Sequence, residues 1–72
     1  MITASSLQSI ASAGGSVIVN ANNFTASSLR NIASAGKATG AELIIKDASK
    51  LTSSSCQSIA SANPGHVIFD FT

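Results

Sequence analysis

Ile2-Thr3-Ala4-Ser5-Ser6-Leu7-Gln8-Ser9-Ile10-Ala11-Ser12-Ala13 recurs twice along the chain without a gap, first as Phe24 to Ala35 and then as Leu51 to Ala62. Thr, Ser-Ser and Ile-Ala-Ser-Ala stand at the same places in all three copies. Leu7, Ile10 and Ala11 lie at i, i+3 and i+4, the spacing of one apolar stripe on a helix. Thr3, Thr25 and Thr52 occupy the N-cap, where a hydroxyl accepts from an amide two or three residues on, here Ser5 or Ser6 in the first copy. Ile2 with Leu7 and Phe24 with Leu29 then sit at N′ and N4, the two positions of a hydrophobic staple. Gly14, Gly36 and the Asn63-Pro64-Gly65 group follow the last helical residues, with Gly14, Gly36 and Asn63 expected in the left-handed conformation that ends a helix.

Each helical segment leads into a short β-branched one: Val17-Ile18-Val19-Asn20-Ala21, Ile44-Ile45-Lys46-Asp47-Ala48 and Val67-Ile68-Phe69-Asp70-Phe71. Consecutive apolar residues in such a run imply a strand buried on both faces rather than one. Helix and strand in alternation require parallel strands joined by right-handed crossovers. The expected fold is therefore a small right-handed α/β solenoid in a single domain, with repeats 1–23, 24–50 and 51–72 and a three-stranded parallel sheet. The extra residues around Lys37-Ala38-Thr39-Gly40 belong in a surface loop.

Composition narrows the function classes. Charged residues are 10% of the 72 and hydrophobic ones 44%, against roughly 25% charged in an average soluble domain. A net charge of +1 provides no field that would gather nucleic acid or an anionic membrane. One cysteine rules out an internal disulfide framework and a multi-cysteine zinc site. No apolar run approaches the ~20 residues of a membrane span, and the first residues lack the charged and apolar regions of a secretory signal. Cytoplasm is the expected location.

Val17-Ile18-Val19-Asn20-Ala21-Asn22-Asn23-Phe24 resembles the L-x-L-x-x-N-x-L core of a leucine-rich repeat, and Thr25 to Ala33 resembles the L-T-x-x-x-L-x-x-L-A half of the helical, cysteine-containing subfamily. The likeness spans nearly the whole chain. It departs from the pattern where Ser49 replaces the ladder asparagine and where Lys46 falls on a column expected to point inward. What the resemblance implies is a curved repeat used for protein–protein contact.

Few residues are available for chemistry. Cys56 replaces Leu7 and Leu29, which makes it a small buried hydrophobe rather than a nucleophile. His66 lies beyond the opposite end of that helix, where it is expected in solvent. Asp47 and Asp70 align with Asn20 in the repeat, about 5 Å apart per strand. They read as caps of strand ends, with a cation site or an acid–base pair as the alternative. Arg30, Lys37, Lys46 and Lys50 all belong to the middle repeat, a possible anion contact. No phosphate loop, metal motif or nucleophile elbow accompanies them, and no cofactor is implied.

Ile18, Ile45 and Ile68 form the remaining feature. Alternation along the strands places them together on the face away from the helices, flanked by Asn20, Asp47 and Asp70. A bare apolar ladder of this kind serves contact with another chain. The expected function is a non-enzymatic interaction or structural module that self-associates as a homo-oligomer, with a C2 dimer through sheet faces or uncapped ends foremost. A small regulatory protein holding an anionic ligand or nucleic acid on the basic middle repeat is the alternative.

Overall fold

The computed structural model describes residues 2–72. Three helices, α1 (Ala4–Ser12), α2 (Ala26–Ala35) and α3 (Ser53–Ala62), alternate with three strands, β1 (Val17–Asn20), β2 (Leu43–Lys46) and β3 (Val67–Phe69). The strands form one parallel sheet in the order β1-β2-β3. Short 3-10 turns, Ala21–Asn23 and Ala48–Lys50, follow β1 and β2. The chain is thus a mixed α/β protein built from repeating helix–strand rows.

The helices start as the threonines dictate. Thr3, Thr25 and Thr52 accept from the amides of Ser6, Ser28 and Ser55 at 3.2, 3.1 and 3.1 Å. Each threonine hydroxyl also donates to the same serine's Oγ at 3.0–3.1 Å. One side chain therefore satisfies an orphan amide while ordering the first turn. The stops differ from expectation in two rows. Gly14 has positive φ, but Gly36 keeps right-handed geometry at φ −84°, and the left-handed residue comes four places later at Gly40. Gly36 is needed for closeness instead, since a Cβ there would lie 3.1 Å from both Ala41 Cβ and the Ala41 carbonyl oxygen. In the third row Gly65 takes positive φ. Asn63 keeps negative φ at −150° and is buried, and its Nδ2 donates to the Ala41 carbonyl at 3.0 Å.

The core lies between the two layers. Leu7, Leu29, Ile32 and Ile59 of the helices pack with Val19, Leu43 and Ile45 of the strands. Ile10 of α1 is exposed, whereas its counterparts Ile32 and Ile59 are buried, because α2 and α3 each have a helix packed on the side that α1 leaves open. The register corrects the ladder expected above. Ile18 pairs with Ile44 and Ile44 with Ile68, while Ile45 pairs with Val19 and Phe69 on the inner face and is 0% exposed. Lys46 is corrected with it: it pairs with Asn20 and is exposed rather than pointing inward.

Asp47 is the cause. Its backbone is left-handed at φ 55°, and the sheet ladder passes over it: Asp70 donates to the Ile45 carbonyl, and the next amide to reach the Asp70 carbonyl is that of Ala48. Asp47 is an extra residue, a bulge that lets Ala48 match Ala21 while Lys46 matches Asn20. A one-residue slip moves every side chain to the other face.

Two substitutions test this register by chemical denaturation. Ile45→Ala should destabilise the fold by about 2–5 kcal/mol, the loss typical of a fully buried isoleucine, and Ile44→Ala by roughly 1 kcal/mol or less. At the caps, Thr25→Ala should cost about 1 kcal/mol, and Thr25→Ser should recover most of it.

Candidate interaction surface

The outer face of the sheet carries two lines of side chains across the strands. Ile18, Ile44 and Ile68 form the first, with Ile18 64% and Ile68 47% exposed and Ile44 half-buried between them. No helix covers this face, so the second apolar face implied by the unbroken Val-Ile-Val run is bare. Asn20 and Lys46 form the second line, which Asp70 continues past the end of β3. The repeats bring these polar groups together through particular bonds. Asn20 Nδ2 donates to Asp47 Oδ2 at 2.6 Å, across the junction of the first two rows. Asn20 Oδ1 accepts from the Asn22 amide at 2.8 Å, and Asp70 Oδ1 accepts from the Thr72 amide at 3.0 Å and from its hydroxyl. Those two are Asx turns that close the strand ends. Asp47 makes no such bond to its own turn, because the bulge aims it at Asn20 instead.

Electrostatics along this line are local. The Thr72 hydroxyl and then its amide hold the Asp70 carboxyl below the usual carboxylate range, and the Lys46 ammonium adds to the effect. The other cations do not join it. Arg30 lies midway along α2, and Lys37 follows the C-terminus of that helix. Lys50 ends the turn before α3, and Lys46 projects from the outer sheet face. Helix C-termini and helix N-termini lie at opposite ends of such a layer, so Lys37 is remote from Lys50, and Arg30 is on the opposite layer from Lys46. The four exposed cations are spread around the molecule rather than gathered into one patch.

Cys56 and His66 each depart from expectation. Cys56 is half-buried rather than buried, since the smaller side chain leaves part of the leucine volume unfilled on a helix with a neighbour on one flank only. His66 is half-buried rather than solvated, and its Nδ1 is shielded without a hydrogen-bond partner among the described residues. The two lie at opposite ends of α3, separated by roughly 10 Å of helix rise. No nucleophile–base contact joins them.

A depression of about 340 Å³ lies at the C-terminal end of β1, lined by Ile2, Leu7, Ile18, Val19 and Phe24 together with the polar Asn20, Asn23 and Lys46. At the other end of the sheet Phe71 is 59% exposed and stacks on Phe69, with ring centroids 6.1 Å apart. Neither feature was readable from the repeat, because one joins side chains from separate rows and the other lies just past the last strand. Phe71 does stand where Ala21 and Ala48 stand in the earlier rows, and an aromatic in place of a buried alanine is a signal. No helix of the described residues is long and apolar enough to cross a membrane. No protein-family model matches the chain, and neither a curated protein nor a solved structure does.

The Asp70 environment gives a pH-dependent outcome. A carboxyl held low in the folded state contributes stability that is present above its ordinary value of about 3.9 and is lost as pH falls through the folded value. Thr72→Ala should therefore raise the Asp70 pKa toward that ordinary value, read from side-chain carboxyl chemical shifts, and lower stability slightly at neutral pH, with the difference from wild type vanishing once the pH falls below the folded value.

Proposed function

We propose that the chain is a non-enzymatic protein–protein interaction module that self-associates, a leucine-rich-repeat-like right-handed solenoid acting in the cytoplasm. The observation that carries this reading is the bare Ile18-Ile44-Ile68 ladder on the outer sheet face. A soluble monomer protects such a face with charge or with a helix, and here Lys46 is the one formal charge on the three paired strands. A module that works by contact rather than chemistry also accounts for the polar residues: Asn20 and Asp70 close turns, Asp47 bonds to Asn20, and Cys56 and His66 are apart. The placement of Arg30, Lys37, Lys46 and Lys50 on different elements favours the contact reading over the anion-binding alternative.

Magnitudes set the expected strength. Burying the exposed part of the three isoleucines contributes roughly 3 kcal/mol per copy, hence about 6 kcal/mol for a face-to-face pair. Association costs on the order of 4–15 kcal/mol in lost freedom. Face pairing alone is therefore weak and concentration-dependent.

Multi-angle light scattering over a range of concentrations tests the reading. The average mass should rise with concentration, and Ile44→Asp should lower it at every concentration while leaving circular dichroism unchanged. A wild-type chain that stays a folded monomer throughout would contradict self-association, and an unchanged mass in Ile44→Asp would move the contact off this face.

A further inference from the structure

We propose that copies of this chain also stack head to tail, the third row of one receiving the first row of the next, with Phe71 seated in the depression bounded by Ile2, Leu7, Val19 and Phe24. This rests on the self-association reading but uses chiefly the two flanks of the sheet, the depression meeting the outer face only at Ile18 and Lys46.

The occupant is identified by the chain's own repetition. The first row already docks on the second, and the second on the third, through parallel strand pairing and helix-on-helix packing. The peptide groups left open at the two flanks continue the same ladder. Val17 donates to the Glu42 carbonyl, so residues 17 and 19 turn toward β2, while Ile18 and Asn20 face the open edge of β1. On β3, the His66 carbonyl and the Asp70 amide and carbonyl bond to β2, so residues 66, 68 and 70 turn inward, while Val67, Phe69 and Phe71 face the open edge. These are the two sets that pair inside the chain, where residues 17 and 19 meet residues 42, 44 and 46. Extending the register aligns Val67 with Val17, Ile68 with Ile18, Phe69 with Val19 and Asp70 with Asn20 of the next copy.

Side chains match along that line. Phe71 follows Asp70 directly and so falls beside the end of the neighbouring β1, where Val19, Asn20 and Asn23 line the depression. Ile2 and Leu7 form its apolar wall, and an exposed phenyl ring fits a space of about 340 Å³. Asp70 comes to Asn20 of the next copy, whose Nδ2 has a second hydrogen beyond the one given to Asp47. An asparagine–aspartate contact would then recur at this junction as it does between the first two rows.

Charge completes the argument. Of the seven Asp, Glu, Lys and Arg residues, six lie between Arg30 and Lys50, and residues 2–23 have none. Edge strands of monomeric proteins are ordinarily guarded by charge, proline or a covering element, and the flank strands β1 and β3 contain none of the three. A heterologous contact of this type does not close on itself, so it builds open chains.

Two variants that each disable one end make the test, both in the Ile44→Asp background so that face pairing is absent. Ile2→Asp places a carboxylate in the depression, and Phe71→Asp removes the ring that fills it. Both residues are exposed, and circular dichroism should show both variants folded. Ile44→Asp alone should still form assemblies larger than a pair, and each double variant should be monomeric by light scattering. Mixed one to one, they should recover a complex of two chains, twice the 7.2 kDa of one, because the intact third row of the Ile2→Asp chain fits the intact first row of the Phe71→Asp chain. A mixture that remains monomeric, double variants that still assemble, or a monomeric Ile44→Asp chain would each overturn head-to-tail stacking. The last would leave the face-pairing reading in place.

Discussion

The left-handed backbone at Asp47 is the constraint on which the outer surface depends. Asp47 is the one non-glycine residue with positive φ among those described, a conformation that aspartate tolerates better than most side chains. It absorbs the one extra residue that the middle row has between its strand and its buried alanine. Ala48 thereby reaches the site that Ala21 fills in the row before, and Ile45 remains under the helices. Were Asp47 to join the ladder, either the alanine or the strand would lie one place out of register. Ile44 and Lys46 would then face the core. The Asn20–Asp47 hydrogen bond ties the bulge to the neighbouring row, so one short polar contact holds the junction that orients the isoleucines.

A second set of contacts performs the same task at the far end of the strands. Thr39 Oγ1 donates to the Ala11 carbonyl at 2.9 Å, the Glu42 amide donates to Ser16 Oγ at 2.9 Å, and Asn63 reaches the Ala41 carbonyl. Each of these bonds joins one row to the next rather than closing a turn within a row. Most of the polar side chains close caps and turns within a row, a few join neighbouring rows, and the flank strands stay apolar. That division explains how a charge content of 10% coexists with well-satisfied junctions: charge is scarce where rows meet or would meet other rows.

Local chemistry was the most legible part. The threonine caps depend on residues three apart, and all three formed as the spacing implied. Helix–strand alternation and parallel pairing followed from the repeat itself. The strand register did not, because matching Asn20 to Asp47 and Ala21 to Ala48 is correct for the alanines and one residue off for the strands. Only a backbone angle reveals that Asp47 is surplus. Gly36 departs from its expected role for a similar reason, since a glycine after a helix serves either a left-handed stop or a close approach, and the proximity of Ala41 decides for the second. Of the candidate surface, Ile18 and Ile68 were legible by alternation alone. The depression beside β1 was not, as its walls come from α1, β1 and the start of the second row.

The central claim is that the bulge at Asp47 turns Ile44 outward and Ile45 inward. A methyl nuclear Overhauser spectrum of the folded chain tests this most directly. Ile44 methyls should show cross-peaks to both Ile18 and Ile68, while Ile45 methyls contact core residues such as Leu29 and Ile59. Cross-peaks joining Ile45, instead of Ile44, to Ile18 and Ile68 would contradict the register and the surface built on it.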